Sequence, residues 1–381
     1  MLKIHKNFIL SFLTAFFFFT SLSFFLLLPK FIHKLGGSKG EIGLIMGAPG
    51  FMSAILIPLT GIIAEKLGRK RIAIIGTSGT SIVSLLYLAI HSLNVKLFLV
   101  LRLLQGVFFS FSFVTCASFA GNFSPPNRKS EFLGYFGIAV LSPTMIGPWL
   151  GEKIIEHSFK IMFITSSALG AIAVLIAFFL VENDVQNENF PAKDHFSKLL
   201  IDLKYPLALS FILGCVFSTT FYFLPIYSME KGIKKIGSFY TIYTLTAISI
   251  RLALGALSQR INFHRKTAAL FFLISVSLVL IARMDSYLTI WVSAIIYGIG
   301  EGLAYPSING EILNRTPPHL INTATGFYIG AFNVGTLVAP IVFGHFSQFH
   351  TFKTAFLLTS LLPILGIFIL TLDSRSSIGQ K

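Results

Sequence analysis

The sequence predicts an all-α membrane protein with twelve transmembrane helices in two pseudo-symmetric bundles of six. Three observations lead to this fold class: the composition, the number of apolar segments, and a repeat that relates the two halves. Hydrophobic residues make up 54% of the 381-residue chain and charged residues 12%, whereas a soluble domain carries roughly 25% charged residues. A soluble core cannot bury this much apolar surface, so we expect a chain that crosses a membrane many times.

Apolar stretches near the ~20 residues needed to cross a bilayer number about twelve. We expect spans at residues 7–28, 41–63, 72–92, 96–119, 132–151, 161–181, 205–228, 237–258, 267–283, 287–311, 323–345 and 354–372. No small-x-small cleavage site precedes Pro29-Lys30. The first stretch is therefore interpreted as a retained helix and not as a signal peptide.

A polar stretch and an internal repeat divide the chain into two halves. Residues 182–204 form the longest polar stretch, which predicts a cytoplasmic linker between one bundle at 1–181 and another at 205–381. An offset of 192 residues places four first-half features on second-half counterparts: Pro125-Pro126 on Pro317-Pro318, Gly134 on Gly326, Pro148 on Pro340 and Gly106 on Gly298. Parallel repeats related by an axis along the membrane normal are one way in which transporters are built.

The net charge of +15 does not indicate a nucleic-acid partner, because the basic residues lie in loops between apolar spans. More Lys and Arg fall in the segments that are cytoplasmic when the N-terminus is inside, which predicts that both termini are cytoplasmic. Cys116 and Cys215 lie within predicted spans, so we expect no disulfide, no metal site and no cofactor.

The most informative motif lies between the second and third spans. It reads Gly61-Ile-Ile-Ala-Glu65-Lys-Leu-Gly68-Arg69-Lys70-Arg71. This pattern resembles the G-x-x-x-D-x-x-G-R-[RK] loop of the major facilitator superfamily, with Glu65 in the place of Asp. An offset of 194 residues puts a decayed copy, Gln259-Arg-Ile-Asn, in the second half. The resemblance therefore implies the two-bundle fold of that superfamily over essentially the whole chain.

Two further motifs extend the resemblance. Arg102-Leu-Leu-Gln105-Gly106 in the fourth span is similar to the family's R-x-x-Q-G element. The fifth span resembles the Gly/Pro motif of drug and metabolite antiporters, through Gly134-x8-Pro143-x3-Gly147-Pro148-x2-Gly151. Pro143 and Glu152 stand where that motif has glycines. The resemblance implies exchange of a small molecule against protons.

The resemblance also implies gating roles for both motifs. The acidic residue of the loop motif holds the outward-open state in the family. We therefore expect Glu65 to act as a latch with the basic residues Arg69 and Lys70, in a motif that also contains Gly61 and Gly68. The alternative is a solvated positive-inside loop. In the fifth span, we expect Gly134, Gly147, Pro148 and Gly151 to pack closely against the other half. The alternative there is an ordinary membrane helix that contains Gly and Pro.

Three charged residues lie within predicted spans and away from the first and last residues of those spans, where such residues are costly and mark functional sites. Glu301 lies near the centre of the tenth span, Arg251 near the middle of the eighth, and Arg102 toward one end of the fourth. We expect Glu301 to carry the proton or bind a cation. The alternative is a structural ion pair with Arg251. The resemblance links Arg102 to proton movement, although backbone carbonyls could equally satisfy it.

The leading hypothesis is therefore a secondary active transporter that works by alternating access and exports small amphiphilic compounds in exchange for protons. The alternative transporter is a permease or facilitator for a metabolite or organic anion, favoured by the lack of an acidic residue in the first and fourth spans. A membrane enzyme is disfavoured because no H-x4-D motif occurs. An ATP-driven pump is disfavoured because no G-x4-G-K-[ST] loop occurs. We expect a monomer surrounded by lipid in a bacterial inner membrane.

Overall fold

The computed structural model describes residues 5–125, 129–182, 199–258 and 261–378. Most of the predicted linker lies outside these residues, as do Pro126 and the Gln259-Arg260 start of the second-half motif copy. In the described ranges all regular secondary structure is helical, and every predicted span falls on a helix. The helices are α1 Lys6–Lys34, α2 Lys39–Leu67, α3 Arg69–Leu86, α4 Val95–Asn122, α5 Lys129–Ile155, α6 Phe159–Ala177, α7 Lys204–Glu230, α8 Gly237–Ser258, α9 Phe263–Ala282, α10 Tyr287–Asn314, α11 Ile321–Phe349 and α12, which consists of the segments Phe352–Thr359 and Leu361–Ile378.

Eleven of the described helices are long and apolar enough to cross a membrane. The remaining predicted span is α8, a helix of 22 residues that carries Arg251 and is not among the eleven. The fold is the expected all-α membrane fold.

Helix α1 is longer than the sequence predicts and is not uniform. It consists of an α-helical segment Lys6–Ser23, a 3-10 turn Phe24–Leu27 and a second segment Leu28–Lys34. Pro29 was expected to end the span, but it occupies the first turn of the second segment. Proline is tolerated there because the first amides of a helix have no intrahelical partner.

Two compact units divide the chain: Met1–Gly37 with Phe51–Asn187, and Ser38–Gly50 with Glu188–Lys381. The division between Asn187 and Glu188 falls inside the predicted linker, whereas the predicted first bundle also included residues 38–50. The exact division at 1–181, 182–204 and 205–381 stays a prediction.

The first unit is held together by serine hydroxyls as well as by apolar packing. Helix α1 packs on α6, and α3 packs on α4 and α6. The Ser166 hydroxyl lies 3.1 Å from the hydroxyls of Ser21 and Ser84, and the Ser81 hydroxyl donates to the Ser167 carbonyl at 2.8 Å. Such contacts join membrane helices that lipid gives no hydrophobic reason to associate.

The second unit brings helix backbones together at glycines. A Cβ added at Gly214 of α7 would lie 2.9 Å from the Phe332 carbonyl carbon of α11, and one added at Gly335 would lie 2.8 Å from the Cys215 amide nitrogen. Helices α7 and α11 therefore pack backbone to backbone. The start of α2 belongs to this unit through the ion pair between Lys39 Nζ and Glu230 Oε1, 2.8 Å long.

Candidate functional site

The candidate site of the second unit is centred on Glu301, near the middle of α10. Gly298 and Gly302 flank this residue and let α8 approach: an added Cβ at Gly298 would lie 2.8 Å from the Tyr243 carbonyl oxygen, and one at Gly302 would lie 2.9 Å from the Ala247 Cα. This close approach buries the Glu301 side chain against α8, with 5% of the residue exposed.

The Glu301 carboxylate is bound by a tyrosine. The Tyr243 hydroxyl donates to Glu301 Oε2 at 2.6 Å, and both side chains are buried. Aromatic rings surround the pair, since the Tyr243 ring centroid lies 5.0 Å from that of Phe221 and 5.6 Å from that of Tyr297. The carboxylate therefore lies in an apolar, aromatic environment with a neutral hydrogen-bond donor.

Arg251 lies beside this site but does not pair with Glu301. Its Nε donates to the Gly302 carbonyl at 2.6 Å, and among the described residues no salt bridge joins Arg251 to Glu301. The structure thus does not show the structural ion pair that the sequence left open. A carboxylate without a cationic partner is free to exchange a proton without breaking a salt bridge.

Arg102 forms a separate polar cluster in the first unit. Its Nη1 donates to Gln105 Oε1 at 2.9 Å, and the Tyr87 hydroxyl lies 3.4 Å from the same oxygen. The Gln105 Nε2 group has no partner among the described residues, although the residue is only 1% exposed. Arg102 belongs to the first unit and Glu301 to the second.

A buried ion pair that sequence reasoning missed joins α1 to α5. Lys30 Nζ lies 2.7 Å from Glu152 Oε1, and the two side chains are 8% and 9% exposed. Lys30 lies beyond the first predicted span, and Glu152 lies just beyond the fifth. The continuation of α1 as far as Lys34 is what buries this lysine, and no spacing in the sequence indicates it.

A second missed cluster surrounds Asp373 near the end of α12. Arg315 donates to both Asp373 carboxylate oxygens, at 2.8 and 2.6 Å, and also to Glu311. His264 Nε2 lies 3.0 Å from Asp373 Oδ2. The Asp373 and Glu311 carboxylates, which accept these hydrogen bonds, raise the pKa of the Arg315 guanidinium despite its partial burial. This cluster ties the ends of α9, α10 and α12 together.

The loop motif is shorter than expected, because Gly61 and Glu65 lie inside α2 and a single residue separates α2 from α3. That residue, Gly68, has φ +94°, a conformation that side-chain-bearing residues rarely adopt. Glu65 Oε1 lies 3.9 Å from Arg69 Nη2. Facing helix α3 is Glu182, whose Oε1 accepts from the Lys70 amide at 3.3 Å. A carboxylate at this position suits the positive end of the helix.

The motif glycines differ in how closely other helices approach them. A Cβ added at Gly61 or at Gly134 would meet no atom within 4 Å among the described residues. Gly147 and Gly151 make close contacts with α1 within the same unit, and packing of this stretch against the other half stays a prediction. Pro148 lies inside α5, which continues through it.

We predict that Gly68→Ala destabilises the protein whereas Gly61→Ala does not. A left-handed conformation costs an L-residue roughly 1–2 kcal/mol, and the new Cβ would lie 3.2 Å from the Glu182 carboxylate oxygens. Gly61 lies in a helix with open space, where Ala is the better helix former. Thermal unfolding of the two detergent-solubilised variants checks this; equal melting temperatures would show that the turn is not strained by a side chain.

Together, the fold and the site define a class. The chain crosses the membrane many times, carries charges buried in the spans, and in its described part contains no group of three or more His, Cys, Asp or Glu side chains placed to hold a metal ion. Buried polar groups at a helix interface near mid-membrane are typical of secondary transporters.

Comparison with known proteins gives the family. The Major Facilitator Superfamily model matches residues 8–332 and 234–381, so the chain belongs to this superfamily of membrane transporters. It is 25% identical to the multi-drug resistance efflux pump PmrA homolog of Lactococcus lactis, covering 95% of this chain and 93% of that protein. It is 23% identical to the quinolone resistance protein NorA of Staphylococcus aureus, covering 85% of each.

A solved structure supports the fold independently. The nucleoside transporter NupG superposes with a TM-score of 0.79 over 96% of this chain and 98% of that chain, at 16% identity. The predicted fold class and family are confirmed: the protein is a multi-pass membrane transporter of small molecules.

Proposed function

We propose that this protein is a proton-coupled exporter of small amphiphilic compounds, with Glu301 as the group that carries the proton. The observation that carries the proposal is the buried Glu301 carboxylate, which is bound by a tyrosine hydroxyl and, among the described residues, by no cation. The similarity to efflux pumps over most of the chain supports the direction and the substrate class. The proposed activity moves molecules and makes or breaks no covalent bond.

In this account the site alternates between two loaded states. A proton enters on the outer side and neutralises Glu301, substrate leaves, and the neutral form returns; loss of the proton inside then restores the substrate-binding form. Exchange of this kind requires that the ligands bind the two conformations differently. Arg251 in the second unit and Arg102 in the first are also proposed to bind substrate or to take part in proton coupling.

The gating residues and the cellular setting are part of the same proposal. Glu65 and Arg69 form the latch. They lie next to the turn at Gly68, where the Lys70 amide donates a hydrogen bond to Glu182. The Gly147, Pro148 and Gly151 stretch holds α5 on α1. The protein works as a monomer among the lipids of a bacterial inner membrane, with both termini in the cytoplasm.

The proposal is tested with inside-out vesicles given an acidic lumen and a panel of cationic and anionic fluorescent dyes. We expect dye accumulation that needs the proton gradient and stops when nigericin collapses it. Empty vesicles are the control. If the dye only equilibrates, with or without the gradient, the protein is instead a facilitator. The lack of an acidic residue in the first and fourth spans leaves this alternative open.

A further inference from the structure

We infer that Tyr243 is the positioning residue that sets the pH range of transport, by donating its hydroxyl hydrogen bond to Glu301. The inference rests on the proposed function and adds to it a residue on a different helix. Tyr243 belongs to α8 and Glu301 to α10, and the 2.6 Å bond joins them across the interface.

Two other polar groups near the carboxylate have different bonds: Arg251 Nε donates to the Gly302 carbonyl, and the Tyr328 hydroxyl of α11 donates to the Tyr305 carbonyl. Tyr297 and Tyr305 of α10 also lie near Glu301. The buried Tyr297 hydroxyl has no hydrogen-bond partner among the described residues. Tyr243 is the one described side chain with a hydrogen bond to Glu301.

The Tyr243 ring is fixed by packing, so the bond is preorganised. The side chain is buried among Phe221, Phe239 and Tyr297, and its backbone carbonyl lies against Gly298. A larger residue at position 298 would move α8 away from Glu301. The glycine next to the site therefore determines the donor–acceptor distance.

A phenol serves both protonation states of the carboxyl. It donates to the charged carboxylate, and it can accept from the carboxyl hydrogen once the proton is bound. Neither state leaves a buried polar group unpaired, which would otherwise be costly. The bond to the charged form is the stronger one, so Tyr243 contributes most when the carboxylate is charged.

We expect Tyr243→Phe to move the pH midpoint of dye transport upward by about one pH unit, because a hydrogen bond to a charged group is lost. The measurement is the initial rate of gradient-driven uptake in proteoliposomes against pH, at a constant pH difference. Tyr240→Phe is the matched control: Tyr240 lies on the same helix, is buried, and donates to the Phe221 carbonyl. It should keep the wild-type midpoint.

A second variant keeps the test decisive if Tyr243→Phe fails to fold. Replacing Tyr243 with 3-fluorotyrosine preserves the ring and makes the hydroxyl a stronger donor, so the midpoint should move downward. Opposite shifts in the two variants support the inference, and an unchanged midpoint in a folded variant overturns it.

The two levels of the proposal fail in different ways. If Glu301→Gln still shows gradient-driven uptake, the proton-carrying role of Glu301 is wrong, and with it the role of Tyr243. If Glu301→Gln abolishes that uptake while Tyr243→Phe keeps the wild-type midpoint, only the role of Tyr243 is wrong.

Discussion

Glu301→Gln is expected to abolish gradient-driven transport while leaving a folded protein. Gln has nearly the shape of Glu, and its amide oxygen can still accept the hydrogen bond from Tyr243, so the α8–α10 interface should persist. It cannot take up or release a proton. Because the carboxylate has no cationic partner among the described residues, the substitution leaves no buried cation uncompensated.

The measurement is dye uptake into proteoliposomes with an acidic lumen, together with dye exchange in the absence of a gradient. We expect the variant to lose both activities, because the neutral glutamine resembles the protonated form of Glu301, from which substrate leaves in this account. An unchanged size-exclusion profile shows that the variant is folded. Glu156→Gln is the control, because Glu156 is an exposed carboxylate beyond α5. Wild-type uptake by the Glu301 variant would refute its role.

Gly147→Val is expected to prevent the stable packing of the first unit. A Cβ at this position would overlap the Ser23 hydroxyl of α1 and lie 2.6 Å from the Ser23 Cβ and 2.7 Å from its carbonyl carbon. Relief requires α1 and α5 to separate where α1 leaves its α-helical segment for the 3-10 turn. Overpacking of this kind costs about 1–3 kcal/mol or more.

The matched control is Gly134→Val, the same change in the same helix at a position where an added Cβ meets no atom within 4 Å. Size-exclusion profiles and melting temperatures in detergent compare the two variants. We expect aggregation or a much lower melting temperature for Gly147→Val alone. Equal behaviour of the two would mean that the α1–α5 contact is not tight in the protein.

The helices could be predicted from the sequence because membrane spanning imposes a length and an apolar composition that each segment satisfies alone. Boundaries were less accurate where local chemistry permits continuation. Helix α1 passes Pro29 because proline fits the first turn of a helix, and α2 continues through Glu65 because Gly68 alone supplies the turn. The first error comes from ending a helix at a proline, and the second from expecting a longer loop where a single glycine makes the turn.

Glu301 could be singled out from the sequence because a carboxylate in an apolar span is rare, whatever its partners. Its donor could not be identified, since Tyr243 lies 58 residues away and several other tyrosines were equally available. The Lys30–Glu152 pair, separated by 122 residues, was missed for the same reason. Which residues meet across a helix interface depends on how each helix is rotated about its axis. Small residues such as Gly298 and Gly302 help to set that rotation, and it cannot be inferred from the apolar composition of each segment alone.

The most direct test of the central claim is proton release on substrate binding. The purified transporter in weakly buffered detergent is mixed with a dye that it transports, and a pH indicator follows the protons released. The account predicts release by the wild type, none by Glu301→Gln, and a pH optimum of release that moves upward in Tyr243→Phe. Equal release by the wild type and Glu301→Gln, with the dye bound to both, would contradict it.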